Sequence, residues 1–192
     1  YILQGEIRLD SQKHHSKLIP QGVSVLKIPQ QKVWLVFRNY HLDWQGQELT
    51  QILKRVQQWE NAGNHIQGIQ IDFDAKTKHI HQYTLFLSQL RKQLPQHYQL
   101  SITGLMDWTN VTNQETLNLL NNTIDELVIQ TYQSSTTIPN YAAYLKKVSA
   151  LKLPYKIGIV QYGEWHRPPK LENDPNFKGY VVFLLRSKPQ NN

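Results

Sequence analysis

Strand-like and helix-like segments alternate along the chain after residue 30, and this alternation limits the folds open to it. Short stretches rich in β-branched and aromatic residues, each bounded by Gly, Pro, Asn or Asp, predict six β-strands. They are 33–40, 66–74, 99–106, 126–132, 156–162 and 179–185. Amphipathic helices are predicted between most of them, at 45–62, 79–94, 113–121 and 140–151. This alternation predicts a parallel sheet covered by helices.

The polar residues of the strands distinguish between two architectures, a doubly wound open sheet and a (β/α) barrel. In the stretch 66–74, apolar residues occupy one face, while Gln70, Asp72 and Asp74 share the other. An open sheet would want apolar residues on both faces, whereas a barrel interior becomes polar toward its C-terminal mouth. We therefore expect an α/β fold of the (β/α)8 TIM-barrel type.

The first 30 residues follow a different pattern. Segments 1–9 and 23–28 look like strands, and the polar stretch 10–21 between them favours an N-terminal β-hairpin over a helical crossover. We expect a single domain over 1–186, since the length suits one domain. A disordered tail is expected at 187–192.

The composition excludes several classes of chemistry. The 192 residues include no cysteine, which rules out a disulfide framework, a thiolate zinc site and a cysteine nucleophile. No apolar run approaches the roughly 18 residues that a membrane span requires. No phosphate-binding glycine loop and no serine nucleophile elbow occurs, so we expect no nucleotide and no other cofactor.

The net charge of +7 comes from 21 Lys and Arg against 14 Asp and Glu. The lysines are scattered, and amides (22 Gln and 13 Asn) fill much of the polar surface. This pattern favours a mildly basic solvated surface over a nucleic-acid interface. An anionic glycan or cell-wall polymer is the alternative partner.

Asp72 and Asp74 are the most informative residues for function. Their spacing predicts that both point the same way at the C-terminal end of a strand, where barrel active sites are built. Two carboxylates about 6 Å apart repel one another enough to raise one pKa, which suits a general acid beside an ionised partner. Alternatively, the pair is structural and binds Arg38, at the end of the preceding strand. As a divalent-cation site it offers only two ligands, so no metal is expected.

Other residues near the predicted mouth are candidates for binding substrate. Asp107 could contact sugar hydroxyls or cap a helix, and Trp108 could stack on a pyranose ring or belong to the core. Glu164 and Trp165 could supply a carboxylate and a sugar platform, or form a loop packed on the rim. The full candidate set is Arg38, Gln70, Asp107, Trp108, Gln130, Tyr132, Gln161, Glu164 and Trp165.

The stretch 66–74 resembles the fourth-strand signature of the family 18 glycoside hydrolases, the chitinase group. Gly68 and Asp72 match that signature, and Asp74 stands where the family has its catalytic glutamate. Gln67 and Gln70 replace the first two aspartates. The resemblance implies that this strand is the fourth of a barrel. The first strand and helix of the barrel would then be missing, or replaced by the N-terminal hairpin, as expected of a fragment.

More of the chain resembles a bacterial family known as domain of unknown function 3142, which has no established activity. The resemblance lies in 66–75 (IQGIQIDFDA), 100–108 (LSITGLMDW), 127–132 (LVIQTY), 156–163 (KIGIVQYG) and 179–186 (GYVVFLLR). It implies a glycosidase-like barrel, usually on an exported protein.

The chitinase resemblance also implies roles for individual residues. Asp74 would donate a proton to the glycosidic oxygen, and Asp72 would orient a substrate acetamide during substrate-assisted cleavage. Tyr132 stands where the chitinase group has a tyrosine that helps hold the acetamide. Aspartate is one methylene shorter than glutamate, and a misplacement of about 1 Å can cost a hundredfold in rate.

Two functional hypotheses follow from these residues. The first is a glycoside-hydrolase-like barrel acting on or binding a cell-envelope or extracellular polysaccharide, with Asp74 as general acid. It requires an open cleft with both carboxyls at solvent and an aromatic floor. The second is a non-catalytic barrel that binds glycan or an envelope protein. It requires both aspartates to be buried against Arg38 or backbone donors, with no cleft.

Overall fold

The computed structural model describes residues 1–10 and 15–185 as a mixed α/β fold. The strands are β1 (Ile2–Leu9), β2 (Ser16–Pro20), β3 (Lys32–Asn39), β4 (His65–Asp72), β5 (Gln99–Leu105), β6 (Glu126–Gln130), β7 (Tyr132–Gln133), β8 (Thr136–Thr137), β9 (Tyr155–Val160) and β10 (Phe177–Phe183). The α-helices are α1 (Gln47–Asn61), α2 (Ile80–Gln93), α3 (Gln114–Asn121) and α4 (Tyr141–Leu145). Single 3₁₀ turns occur at Thr77–His79, Met106–Asn110, Val148–Leu151 and Leu171–Asn173. The tail expected at 187–192 lies outside the described residues.

Eight strands form one central sheet in the order β10-β9-β6-β5-β4-β3-β1-β2, and β7 pairs with β8 in a separate ribbon. All neighbours in the large sheet are parallel except β1 and β2. This confirms the predicted parallel sheet. The fold is consistent with the expected TIM-barrel-like type, but β10 and β2 are sheet edges and no closed barrel forms within the described residues.

The open sheet is nevertheless curved like part of a barrel wall. The Tyr1 hydroxyl, just before β1, donates a hydrogen bond to Glu126 on β6, four strands away in the sheet order. Lys156 on β9 also reaches Tyr1, with its Nζ 3.1 Å from the hydroxyl oxygen. A flat sheet could not bring these strands together, so the curvature gives the sheet an inner and an outer face.

The outer face carries the apolar core, and the helices cover it. Trp59 of α1 and Leu87 of α2 are fully buried, as are Ile69 and Ile71 of β4. Helix α1 shows why the amphipathic pattern matters, because its buried positions recur at helical spacing along one side.

The inner face is polar, as the strand pattern predicted. Gln70 Nε2 donates to Ser101 Oγ (2.9 Å), and Ser101 Oγ in turn donates to Glu126 Oε1 (3.1 Å). Lys156 Nζ forms a salt bridge of 2.8 Å with Glu126 Oε2. Because these polar groups bond to one another, they can be buried without leaving donors or acceptors unpaired.

The N-terminal hairpin forms, but its second strand is not the segment that the sequence predicted. Strand β1 pairs antiparallel with Ser16–Pro20, whereas 23–28 belongs to no strand. Gly22 explains the difference, since its φ of +81° turns the chain. A Cβ there would lie 1.9 Å from the Leu3 carbonyl oxygen. The following segment is held by an irregular contact, in which the Ile28 amide donates to Asn64 Oδ1 (2.8 Å).

The predicted helix at 140–151 is also shorter than expected. The chain forms α4 and then a separate 3₁₀ turn, Val148–Leu151. At the start of α3, Asn113 is the N-cap, and its side chain accepts from the Thr116 amide at 2.8 Å. Within the part of the chain that the structure describes, no helix is both long and apolar enough to cross a bilayer.

Candidate functional site

The candidate site lies where β3 and β4 end side by side. The parallel register places Arg38 of β3 directly beside Asp72 of β4. Strand β4 ends at Asp72, so Asp74 lies in the loop that follows rather than on the strand. A cavity of about 220 Å³ opens here, lined by Arg38, Asn39, Tyr40, Asp72, Phe73 and Asp74.

The chain turns sharply at Asp74. The Ala75 amide donates to the Phe73 carbonyl at 2.8 Å, which closes a three-residue γ-turn centred on Asp74. The turn removes Asp74 from the pleated pattern that the sequence predicted. The two carboxylates therefore have different surroundings although they are two residues apart.

Asp72 is buried, at 8% exposure, and both of its carboxylate oxygens accept hydrogen bonds. Arg38 Nε donates to Oδ2 at 3.0 Å, and Thr103 Oγ1 on β5 donates to Oδ1 at 2.8 Å. Burial is the largest single effect and lowers the pKa of Arg38, but the charge of Asp72 and hydrogen bonds with Asp72 and Tyr40 together outweigh it and raise the arginine pKa. The pair is therefore a charge-assisted contact that fixes Asp72 in place.

Asp74 has the opposite character. The residue is exposed, and no donor among the described residues hydrogen-bonds to its carboxylate. Partial burial of the carboxyl group raises the pKa of Asp74, the negative charge of Asp72 raises it further, and Arg38 opposes the shift. Asp74 therefore holds a proton more readily than an ordinary aspartate does.

Tyr132 is brought close to this pair from β7. Its ring stacks on Phe183 of β10, with centroids 5.2 Å apart. Burial first, and then the charge of Asp72, raises the pKa of Tyr132 to about 12, while a hydrogen bond with Gln130 opposes the shift. The phenol therefore stays protonated at neutral pH and available as a donor near the site.

Three candidates from the sequence have structural roles instead. Gln70 is buried on the inner face and bonds to Ser101. Trp108 is buried at 1% exposure, and its indole N–H donates to the Ala75 carbonyl at 2.7 Å, so it cannot serve as a sugar platform. Asp107 Oδ2 accepts from the Thr77 hydroxyl (2.6 Å) and the Thr77 amide (3.3 Å). This contact caps the turn in the preceding crossover, while Asp107 Oδ1 has no hydrogen-bond partner among the described residues.

The candidates after β9 also lie apart from the cavity. Gln161 Oε1 accepts from the Leu185 amide at 3.1 Å. Glu164 is exposed, and its Oε1 lies 3.6 Å from His166 Nδ1. Trp165 stacks on Tyr141, with centroids 4.6 Å apart, so an aromatic ring already occupies one face of the indole. None of these residues lines the cavity at the ends of β3 and β4.

Sequence reasoning missed Asn39, Tyr40 and Phe73 in the cavity wall, and Thr103 as the second partner of Asp72. Asn39 is buried at 4% exposure, and its Oδ1 accepts from the Trp44 indole N–H at 3.1 Å. Its Nδ2 has no hydrogen-bond partner among the described residues. The signal for Asn39 and Tyr40 was their position at the C-terminal end of a strand next to β4.

A second cavity, of about 330 Å³, adjoins the first. Phe73 and Asp74 line both cavities, so Asp74 lies between them. The second cavity is otherwise lined by Leu42, Ala75, Lys76, Lys78, His79 and Gln82.

Within residues 1–10 and 15–185, no three His, Asp or Glu side chains gather closely enough to hold a metal ion. Arg38 already occupies the Asp72 oxygen that a cation would need.

These features define a class of protein. A curved, mostly parallel sheet covered by helices on its outer face is a mixed α/β fold of the TIM-barrel-like type. More particularly, the chain belongs to the domain of unknown function family DUF3142, whose family model matches residues 40–140. This confirms the resemblance found in the sequence. No protein of curated function has a significantly similar sequence.

A solved structure supports the same class. The fold is similar to that in the crystal structure of the Bacillus cereus spore cortex-lytic enzyme SleL, with a TM-score of 0.51 and 18% sequence identity. The match covers 82% of this chain and 42% of that chain. The present chain therefore spans less than half of the length of the similar enzyme, and the likeness extends to the fold alone.

Proposed function

We propose that the protein is a glycoside hydrolase acting on a cell-envelope or extracellular polysaccharide, with Asp74 as the general acid. The observation that carries this proposal is the difference between the two carboxyl groups. Asp72 is fixed by Arg38 and Thr103, whereas Asp74 faces two cavities without a hydrogen-bond donor and has a raised pKa. A carboxyl group of raised pKa beside a carboxylate held by hydrogen bonds is the arrangement that a general acid and its charged partner require.

In the proposed reaction, Asp74 donates its proton to the glycosidic oxygen as the bond between that oxygen and the anomeric carbon breaks. The bonding electron pair leaves with the oxygen. A substrate acetamide attacks the anomeric carbon, and Asp72 stabilises the positive charge of the cyclic intermediate. Water then opens this intermediate and returns a proton to Asp74. Tyr132 is the proposed donor to the substrate.

The fold comparison supports a glycan substrate, because the similar solved structure is named as a cortex-lytic enzyme. A polymer in the cell envelope or outside the cell also requires an exported enzyme, which we include in the proposal. No metal or other cofactor is assigned to the reaction, because the acid and its partner are both side chains of this chain.

A non-catalytic barrel that binds glycan or an envelope protein is the second candidate. The hydrogen bonds of Asp72 favour this second candidate, since a carboxylate whose two oxygens already accept hydrogen bonds has less capacity to bind substrate. The aromatic floor expected of a hydrolase cleft is also lacking where the sequence placed it, because Trp108 is buried and Trp165 is stacked.

The deciding experiment counts new reducing ends when the full-length protein is incubated with chitin, peptidoglycan and acidic exopolysaccharide. The Asp74→Asn variant is the test, and Glu115→Gln, an exposed carboxylate on α3, is the matched control. We expect Asp74→Asn to lose at least a hundredfold in rate without a fall in melting temperature at neutral pH. Asp74→Glu provides a carboxylic acid that is one methylene longer, and this variant should retain activity.

The pH profile gives a second readout. Activity should fall as pH rises through the raised pKa of Asp74, because the acid must be protonated. No release of reducing ends from any polymer by the wild-type protein would overturn the hydrolase proposal. Polymer binding that survives in Asp74→Asn would then favour the non-catalytic barrel.

A further inference from the structure

The second cavity beside Asp74 has a distinct charge. Its apolar part is formed by Leu42, Phe73 and Ala75, and its polar part by Lys76, Lys78, His79 and Gln82. Asp74 is the only acidic residue in its lining. When Asp74 holds a proton, as the proposed mechanism requires, the two lysines give this cavity a charge of about +2 at neutral pH.

Within the part of the chain that the structure describes, these basic groups have no partner. The side chains of Lys76, Lys78 and His79 are exposed, and among the described residues none forms a salt bridge or hydrogen bond. Neither lysine forms a salt bridge with Asp74 within the described residues. The positive charge is therefore available to a ligand.

The backbone that carries the lysines is fixed by contacts from the turn that follows β5. The Ala75 carbonyl accepts from the Trp108 indole N–H at 2.7 Å, and the Thr77 hydroxyl donates to Asp107 at 2.6 Å. Lys76 lies between these two anchored residues, and Lys78 follows the second. Anchored backbone reduces the entropy lost when the lysines bind a ligand, which favours a real subsite over a solvated charge run.

We propose that this cavity, the basic subsite, binds the anionic group of an acidic polysaccharide. A sugar carboxylate or phosphate would contact Lys76 and Lys78 while the neighbouring glycosidic bond lies at Asp74. The inference rests on the proposed function, because it places the acidic sugar next to the bond that Asp74 would protonate. It narrows the substrate class from polysaccharides in general to acidic ones.

The test compares two double variants that remove the same charge. Lys76→Gln/Lys78→Gln removes the basic subsite, and Lys54→Gln/Lys92→Gln removes two exposed lysines from α1 and α2. Both are made in an Asp74→Asn background, so that binding is measured without cleavage. The probes are oligogalacturonate for the carboxylate, a glycerol phosphate polymer for the phosphate, and a neutral chitin oligosaccharide.

We expect the subsite variant to lower the preference for one acidic probe over the neutral probe about tenfold, measured as a ratio of dissociation constants. The control variant should leave that ratio within about twofold. Binding of the acidic probe should also weaken as salt increases. Which acidic probe responds identifies the source of the negative charge.

The outcomes separate the two proposals. If wild type cleaves polysaccharide but the two double variants show the same preference for acidic over neutral probes, the basic subsite is overturned and the hydrolase stands. If nothing is cleaved but acidic binding depends on Lys76 and Lys78, the subsite stands and the hydrolase fails. Failure of every acidic probe to bind overturns the subsite.

Discussion

Arg38 Nε lies 3.0 Å from Asp72 Oδ2, and this contact joins the ends of two neighbouring parallel strands. Thr103 holds the other oxygen of Asp72 from the next strand. Three adjacent strands thus fix one carboxylate, while Asp74, two residues later, lies beyond the end of β4 and outside this network. The candidate site therefore combines one carboxylate that is fixed, Asp72, with one that lies outside this hydrogen-bond network, Asp74.

The pKa of Asp74 should respond to its neighbour. Burial of the carboxyl and the negative charge of Asp72 both raise this pKa above its ordinary value of 3.8, and Arg38 opposes them. We expect Asp72→Asn to lower the Asp74 pKa, since it removes the negative charge and leaves the charge of Arg38 unbalanced. An NMR titration of the Asp74 carboxyl carbon in both proteins measures the difference. An unchanged or higher value in the variant would contradict the interaction.

The same raised pKa fixes the sign of a stability effect. Because the folded state holds the Asp74 proton more tightly than the unfolded chain, the associated stability is full below pH 3.8 and is lost as pH rises through the folded pKa. The Asp74→Asn variant has no carboxyl group at this position, so it does not show this loss of stability. Relative to wild type, the free energy of unfolding of this variant should therefore rise across that window and level off above it, as followed by urea denaturation.

Removal of the Asp72 partner should destabilise the fold. In Arg38→Met, the carboxylate of Asp72, with only 11% of its side chain exposed, would lose its cationic donor. We expect a loss of about 1–3 kcal/mol in the free energy of unfolding, since the Arg38 side chain is 42% exposed and water replaces part of the contact. Chemical denaturation at pH 7 measures it.

The control for Arg38 is Arg167→Met. Arg167 pairs with Glu172 at the surface, where both side chains are more than half exposed. Such pairs contribute less than about 1 kcal/mol. Equal losses in the two variants would mean that the Asp72 contact has no special role in stability.

The contact between Thr77 and Asp107 should appear as a coupling energy. The Thr77 hydroxyl and amide both donate to Asp107 Oδ2, and this joins the loop after β4 to the turn after β5. A double-mutant cycle with Thr77→Val and Asp107→Ala should give about 1–2 kcal/mol of coupling in unfolding free energy. As a control, Asp107→Ala and Thr50→Val of α1 should be additive within about 0.5 kcal/mol. Additivity in the first cycle would show that Asp107 does not anchor this loop.

Gly68 should tolerate no side chain. A Cβ at this position of β4 would lie 2.0 Å from the backbone oxygen of Gln99 on β5, which cannot move without breaking the pairing of the two strands. We expect Gly68→Ala to lower the free energy of unfolding by about 3 kcal/mol or more. Gly158→Ala on β9 is the control, since its closest contact would be a Val128 methyl group at 3.3 Å, and it should cost about 1 kcal/mol or less. Thermal or urea unfolding of both variants makes the comparison.

Much of the fold could be predicted because it depends on local pattern. The alternation of strands and helices, the polar inner face and the first strand of the N-terminal hairpin follow from residue spacing alone, which reflects which side of a strand or helix is buried. The same spacing predicted that Asp72 lies at the end of β4, beside Arg38. The open sheet was not, because closure depends on how strongly all the strands together curve and on which edges meet.

The site residues show most clearly where sequence reasoning ended. Trp108 and Asp107 follow a strand in a way that fits a sugar-binding mouth, yet Trp108 bonds to Ala75 and Asp107 to Thr77. These partners are 33 and 30 residues away along the chain, so no local pattern reveals them. The environment of a side chain depends on such contacts.

The sequence by itself determined most of the strands and helices and the position of Asp72 at the end of β4, because these depend on side-chain periodicity over a few residues. The tertiary structure alone decided that Asp72 is fixed and that Asp74 faces two cavities. The reason is physical: Arg38 and Thr103 reach Asp72 from neighbouring strands, 34 and 31 residues away in sequence, and the turn at Asp74 places it beyond their reach.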